Sequence, residues 1–504
     1  MLLMNLTLLH HLFLFIPSAL AVYGIIKVVY NLYFHPLAQF PGPILAAISN
    51  IPYSRWFLSG RQPYKLHELH TKYGPIVRTA PNELSFNTAE SWRDIYGFRS
   101  DHKIFVKGKF YSGGSYAGIG TRSVVSETNP HTHRQMRSYL AGAFSERSVL
   151  EHEYLVSESV DKFVRLVGTK GRSPAGFDIS ALLEMLTFDI TGDLAFGKSF
   201  GCLDNDMYHP WISVTIGALT QGAIVDVLDR FPWIARIALV LFRKQIHDLT
   251  EDTRKNEAMS LDAVRRRILS KSTRKDFLSR ILTERDPTLV SDQQIAAHAS
   301  DLVIAGSDTS ASALAACIYY LLKEPVPMYN LVTEVRCGFN QYSDITGSST
   351  SSMQYLNAVL QEALRLFPPL PLGLPRIVPA GGAVVDEHVL PEGITVSTNP
   401  LAACLSSDNF ENPLQFNPER WLGTNRVDNC TASQPFGLGS RACIGRNLAW
   451  MEMRTTLAKL VWMYDFEFVD QAVDWHRDTQ MHTLWRKPEL RIRASRRSAH
   501  GDES

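Results

Sequence analysis

Of six cysteines (Cys202, Cys317, Cys337, Cys404, Cys430 and Cys443), the last occupies a position suited to chemistry. In "FGLGSRACIG", Phe436 to Gly445, it lies where a glycine-punctuated loop passes into the apolar, helix-forming run "RNLAWMEMR". Three readings compete. Gly437-x-Gly439-x-x-Ala442 fits a loose dinucleotide fingerprint, but that needs a buried strand before it, and "RVDNCTASQP" is not one. A buried structural thiol is the ordinary fate of a lone cysteine. The third reading is a metal thiolate, because N–H groups and the dipole at a helix start favour deprotonated sulfur. Gly439 and Gly445 let the backbone approach a flat partner, and Arg441 is placed to meet an anionic group on it. One sulfur, one arginine and a close-approach surface suit heme better than zinc, which takes three or four ligands.

Two further constellations stand out. "AGSDTS", Ala305 to Ser310, puts Asp308 and Thr309 mid-helix, where packing alone favours leucine. The bland account is a threonine bonded back to the carbonyl four residues earlier. Glu362-x-x-Arg365 places two charges on one face of an apolar helix that Pro368 ends, so both head inward and need partners. The same spacing at Glu90/Arg93 and Glu251/Arg254 lacks that context.

Phe436, Gly439, Arg441, Cys443 and Gly445 match the F-x-x-G-x-R-x-C-x-G signature, and the chain resembles the cytochrome P-450 (heme-thiolate monooxygenase) family. The resemblance implies that Cys443 is the axial ligand of heme b iron. Arg441 and Arg376 (in "LPRIVP") would meet the two propionates. His133 and Arg137 (in "HRQMR") stand where many relatives have Trp and Arg, while His131 falls on another face and reads as surface. Arg420 (in "NPERW") would join Glu362 and Arg365 in a structural core. Ala305-Gly306-Ser307-Asp308-Thr309 matches the (A/G)-G-x-(D/E)-T segment, in which Asp308 and Thr309 would relay protons to bound dioxygen. That pair favours true monooxygenation.

"FHPLAQFPGP", "DITGDLAFGKSFGCL", "YLNAVLQEALRLFPPLPLGLPRIVPAGG" and "MHTLWRKPELRIR" are similar to fungal microsomal enzymes of secondary metabolism, of the isotrichodermin C-15 hydroxylase type. The similarity runs from Tyr33 to Ala494 and departs at Glu387, where a glycine is usual and the turn is expected to be distorted. It implies oxidation of a lipophilic polyketide or terpenoid with O2 and electrons from NADPH through a separate NADPH-cytochrome P-450 reductase. No flavin or nicotinamide motif occurs in the chain. Exposed arginines such as Arg134 and Arg446 would help dock that acidic reductase. The alternatives are desaturation, epoxidation or ring rearrangement on the same fold, or a non-catalytic heme-binding membrane protein.

The elements must hold these groups together. With 504 residues, 45% hydrophobic and 20% charged, the composition is that of a packed globular protein. A net charge of +1 points to no nucleic-acid partner. Scattered cysteines without a C-x-x-C pair argue against disulfide scaffolds and zinc. The first charge is Lys27, and the preceding apolar run is long enough to cross a bilayer. Residues 1–33 therefore read as an uncleaved anchor with a helix over about 8–30. Positive charges follow it, which implies a single pass in the endoplasmic reticulum membrane with the catalytic domain facing the cytoplasm. Asn5-Leu6-Thr7 then becomes a lumenal glycosylation candidate at Asn5. Residues 34–44 form a proline-rich hinge. Residues 45–495 form one catalytic domain, mainly α with small β-sheets, and 496–504 a polar tail. "GPIVRTAPNELSFNT" reads as a β-hairpin. A helix from Ser291 to Lys323 must cross the core. "KIFVKGKFYSGGSYAGIGTRSVV" roofs the pocket in relatives, Leu370, Leu372 and Leu374 are expected to line the cavity, and Trp211 to Phe242 suits a membrane surface.

Overall fold

The computed structural model describes Phe15 and residues 18–112, 121–249, 251–270, 276–423 and 427–497. Asn5, residues 113–120 of the glycine-rich segment and tail residues 498–504 lie outside them, as does most of the first half of the expected anchor. The helices that position the site are α1 (Pro130–Ala141), α2 (Ile179–Phe196), α3 (Pro210–Asp229), α4 (Pro232–Leu241), α5 (Glu251–Leu269), α6 (Asp292–Lys323), α7 (Gln354–Leu366) and α8 (Arg446–Met463). The sheets are small, and the chain is mostly helical.

Helix α6 is the axle of the fold. Its 32 residues span about 48 Å at 1.5 Å each. The Ser291 hydroxyl accepts the Gln294 N–H at 3.2 Å and caps its start. Its C-terminus stops at Glu324, where the backbone turns extended ahead of Pro325. Alanines along its length let α2 pack closely, and Gly306 sets the closest approach. A Cβ there would come within 2.7 Å of the Thr191 hydroxyl. The Thr187 hydroxyl of α2 donates to the Ser307 carbonyl, tying the two helices beside Asp308.

The strands are β1 (Ile76–Ala80), β2 (Glu83–Phe86), β3 (Val106–Lys107), β4 (Phe177–Asp178), β5 (Arg376–Ile377), β6 (Ala383–Val385), β7 (His388–Leu390), β8 (Thr395–Thr398), β9 (Tyr464–Phe468), β10 (Gln480–His482), β11 (Leu484–Arg486) and β12 (Arg491–Arg496). The largest sheet runs β1-β2-β8-β5-β3. In it β2 and β8 are parallel (Leu84 opposite Val396), and the other pairs are antiparallel. The expected hairpin is β1–β2, but both its faces are buried. Arg78 tolerates that because its guanidinium donates to the carbonyls of Asn31 and Pro81, at 2.8 and 2.7 Å.

These bonds also change the picture of the proline-rich segment. It is not a free hinge: Leu37 and Phe40 are buried against the sheet, and the Arg78 N–H bonds the Pro41 carbonyl at 2.8 Å. The β6–β7 turn keeps its register despite Glu387, because Asp386 and Glu387 both adopt positive φ, 48° and 64°. Asp94 and Thr88 hold Asp386 in place at 2.9 and 3.1 Å. A two-residue hairpin turn requires that backbone, so the expected distortion is absorbed as local strain.

Under the cysteine loop lies a buried charge cluster. Glu362 accepts from Arg365 (2.7 and 2.8 Å), Arg420 (2.9 Å), the Asn417 N–H (3.0 Å) and the Trp421 indole (2.8 Å). Arg365 spends its remaining donors on the carbonyls of Cys404, Pro413 and Gln415. The side chains of Glu362 and Arg365 are fully buried. By contrast Arg93 is 71% exposed and Glu251 pairs with Lys255 in solvent. Replacing Glu362 by Ala strands two buried guanidinium groups and should cost about 3–5 kcal/mol of unfolding free energy. Glu251→Ala should cost about 0.5 kcal/mol or less. Urea unfolding of both variants measures the contrast, and equal losses would contradict it.

Candidate active site

The cysteine loop is fixed by its backbone. The Cys443 N–H donates to the Phe436 carbonyl at 2.8 Å, and Arg137 of α1 donates to the Ala442 carbonyl at 2.8 Å. Gly439 has φ +70°, and a Cβ there would sit 2.1 Å from the Tyr96 carbonyl oxygen, so no other residue fits. Phe436 packs its ring 5.8 Å from Trp450. Around Gly445 the space is open: a Cβ would meet nothing within 4 Å. Cys443 precedes α8 by two residues and Gly445 takes the N-cap place. The helix-start argument expected a lowered thiol pKa, whereas burial pushes it up, outweighing the Gly445 N–H, Arg137 and Arg446, which pull it down.

The sulfur is nonetheless accessible, because it opens into a cavity of about 320 Å³. Facing it across that cavity are Leu302, Ala305, Gly306 and Thr309 of α6. Ala305 is exposed midway along a helix that is otherwise largely buried, which only an internal cavity explains. Leu370, Leu372 and Leu374, on the segment between α7 and β5, complete an apolar wall. The Thr309 hydroxyl donates back to the Ala305 carbonyl at 2.6 Å.

Around the same loop, cations converge. Arg441 donates to the carbonyls of Glu127 and Thr128 at 2.7 and 3.1 Å. Arg376 is buried on β5 and donates to the Tyr111 hydroxyl at 3.2 Å. His133 is buried beside them. Burial first, then Arg441, Lys107, Arg137 and Arg376, pulls its pKa down to about 3, so it is neutral. His131 is exposed. Burial and the neighbouring Arg441 and Arg376 likewise hold Lys107 well below its ordinary value. Against Lys107, Arg376 and Arg441 stand Glu127 and Asp301, and burial pushes the Asp301 carboxyl up to about 7. Positive charge is in excess, and buried charge of one sign calls for a counter-ion. A flat group with an apolar body, two carboxylates and a metal that binds one sulfur fits these residues. Among the described residues no cluster of three His, Cys, Asp or Glu side chains offers another metal site.

Asp308 is not on this cavity. It turns to another face of α6, where its carboxylate takes Lys487 at 2.7 Å and lines a second cavity of about 380 Å³. Lys487 also pairs with Glu184 at 3.0 Å. Burial alone would pull the Lys487 ammonium down, but Asp308 and Glu184 outweigh it and hold it above its ordinary value. Sequence reasoning missed Lys487, Lys107 and Glu452. Glu452 of α8 lines the Cys443 cavity with its carboxyl fully buried. The signal was there: a lone glutamate in the apolar run "NLAWMEMRTTLAKL".

Comparison with known proteins agrees with this geometry. Residues 41–493 match the sequence model for Cytochrome P-450. The chain is 48% identical to cytochrome P-450 monooxygenase ORF11 of Penicillium roqueforti over 440 residues, 87% of this chain and 91% of that one. It is 40% identical to cytochrome P-450 monooxygenase BipB of Cochliobolus sativus (92% and 93% covered) and 37% identical to aclL of Aspergillus oryzae (95% and 97% covered). With that coverage and identity the chain belongs to the cytochrome P-450 family, whose members carry heme iron, and it is a monooxygenase.

Proposed function

We propose that the protein hydroxylates or otherwise oxidises a lipophilic secondary metabolite, with Cys443 as the axial ligand of heme b and with electrons from NADPH through a separate reductase. The observation that carries the proposal is the Cys443 thiol facing Ala305 and Thr309 across an apolar cavity. Heme, when bound, supplies dioxygen activation; the chain supplies position, dryness and protons. Arg441, Arg376 and Lys107, with the neutral His133 beside them, bind the propionates, while Arg137 fixes the loop. Leu302, Leu370, Leu372 and Leu374 select an apolar substrate and exclude water. Thr309 presents its hydroxyl proton at the cavity wall. Asp308, held by Lys487, reaches the other cavity and serves the relay from the solvent side.

The surface suits a membrane-held enzyme. Residues Ser18–Phe34 form an apolar helix, and α4 buries none of its residues, leaving Trp233 at 75% and Val240 at 79% exposure. The Asn50 amide bonds the Arg230 carbonyl at the end of α3, which brings exposed Ile44, Leu45 and Ile51 beside that patch. A single-pass anchor in the endoplasmic reticulum with the body in the cytoplasm accounts for all three surfaces. Exposed Arg134 and Arg446 offer an acidic reductase a docking face.

Reconstitution with NADPH, reductase and a candidate metabolite tests the function: NADPH consumption should match oxidised product. Thr309→Val should lower product on the order of 10²-fold while the protein still binds the metabolite. Heme loading without turnover on any metabolite of its gene neighbourhood would contradict the proposal.

Burial pushes the Glu452 carboxyl up to about 8, offset only by the Ser310 hydroxyl, so it carries a proton at neutral pH, one residue along α6 from Thr309. The unfolded chain releases that proton near its ordinary value. The folded state therefore binds more protons between the two values, and stability falls as pH rises from about 4.5 to about 8. Asp301 contributes in the same direction. Glu452→Gln should flatten the thermal midpoint against pH across that window. An unchanged slope would show that the carboxyl ionises freely.

A further inference from the structure

The turn Ser123–Glu127 sits on α6 just ahead of the cavity and belongs to no regular element. It closes on itself through the Glu127 N–H and the Ser123 carbonyl at 2.8 Å. Its central peptide groups are held by side chains. The Val124 N–H donates to His298 Nδ1 at 3.1 Å, and the Val125 N–H donates to Asp301 Oδ2 at 3.3 Å. Lys107 donates to the carbonyls of both valines. His298 and Asp301 are 1% and 4% exposed. They lie on the same stripe of α6 as Leu302 and Ala305, about one turn earlier.

The chemistry of this latch is fully determined. Burial pulls the His298 pKa down to about 3, so the ring is neutral. Since Nδ1 accepts from Val124, Nε2 carries the hydrogen and donates to the Tyr139 hydroxyl of α1 at 2.6 Å. The other end of the turn holds the cysteine loop, where Arg441 grips the carbonyls of Glu127 and Thr128. A buried irregular turn must have its N–H and C=O groups satisfied, and here two α6 side chains do so.

We propose that His298 and Asp301 are positioning residues that fix the Val124–Val125 wall of the pocket against α6 and so set the size of substrate the enzyme accepts. The inference rests on the heme-thiolate reading of the pocket. They touch neither the thiol nor the Thr309 hydroxyl, so their effect falls on large ligands and spares small ones.

The test uses full-length heme-loaded protein and the variants His298→Phe, Asp301→Ala and Asp301→Asn. Hydrogen exchange at the Val124 and Val125 amides should speed up about tenfold in the first two and stay near wild type in Asp301→Asn, which keeps an acceptor oxygen. By difference spectroscopy, clotrimazole, a bulky azole, should bind about tenfold more weakly to the first two variants, while imidazole binds as in wild type. Wild-type clotrimazole affinity in both variants, or a parallel loss for both azoles, would overturn the proposal. So would unchanged amide exchange, a readout that needs no heme ligand. If wild-type protein gives no azole spectrum at all, the heme-thiolate reading fails instead, and the exchange result still decides the latch. Should the two disruptive variants not fold, Asp301→Asn and Tyr139→Phe carry the test. Losses of azole affinity in Asp301→Asn equal to those on deleting a wall contact would contradict a role for the accepted hydrogen bond.

Discussion

A thiol held open to a cavity by hydrogen bonds that do not involve the sulfur is the constraint on which the rest depends. The Cys443 N–H bonds Phe436, Arg137 holds the Ala442 carbonyl, and Gly439 clears the Tyr96 carbonyl. Each fixes backbone. The sulfur is left with its lone pairs free and with apolar surroundings that no water network satisfies. Such a group is expensive to bury unless something binds it, and the open space above Gly445 shows on which side that partner approaches.

The second constraint is charge. Lys107, Arg376 and Arg441 come from a strand, another strand and the cysteine loop, and nothing in the local sequence of any one of them calls for the others. Their meeting is a property of the sheet order, in which β3 pairs with β5 and so sets Lys107 opposite Arg376. The Glu362 cluster beneath the loop solves the opposite problem. There carboxylate and guanidinium donors are matched atom for atom, and the result is a rigid floor. One cluster is complete and structural; the other is left one ligand short.

How much of this the sequence shows depends on distance along the chain. Cys443, Gly439 and Arg441 are legible because loop and helix start lie within ten residues and the backbone demands fixed spacing. The helix from Ser291 to Lys323 is legible from its cap and its proline stop. Thr309 and its bond to Ala305 follow from helix geometry alone. The sign of the thiol shift was not legible, because the helix start is a local feature and burial is not. Nor was the docking of the proline-rich segment, which depends on Arg78 meeting Asn31 across 47 positions. Lys487 and Asp308 are 179 positions apart, so only the folded chain shows that the carboxylate turns away from Thr309. Helical periodicity gives the face of a residue; which element covers that face is decided by packing.

The central claim is a sulfur–iron bond at Cys443, and the reduced protein under carbon monoxide reads it most directly. The wild type should give a Soret maximum displaced far to the red, and Cys443→Ser should lose it while keeping the fold. A wild type without that band, or a serine variant that retains it, would contradict the account.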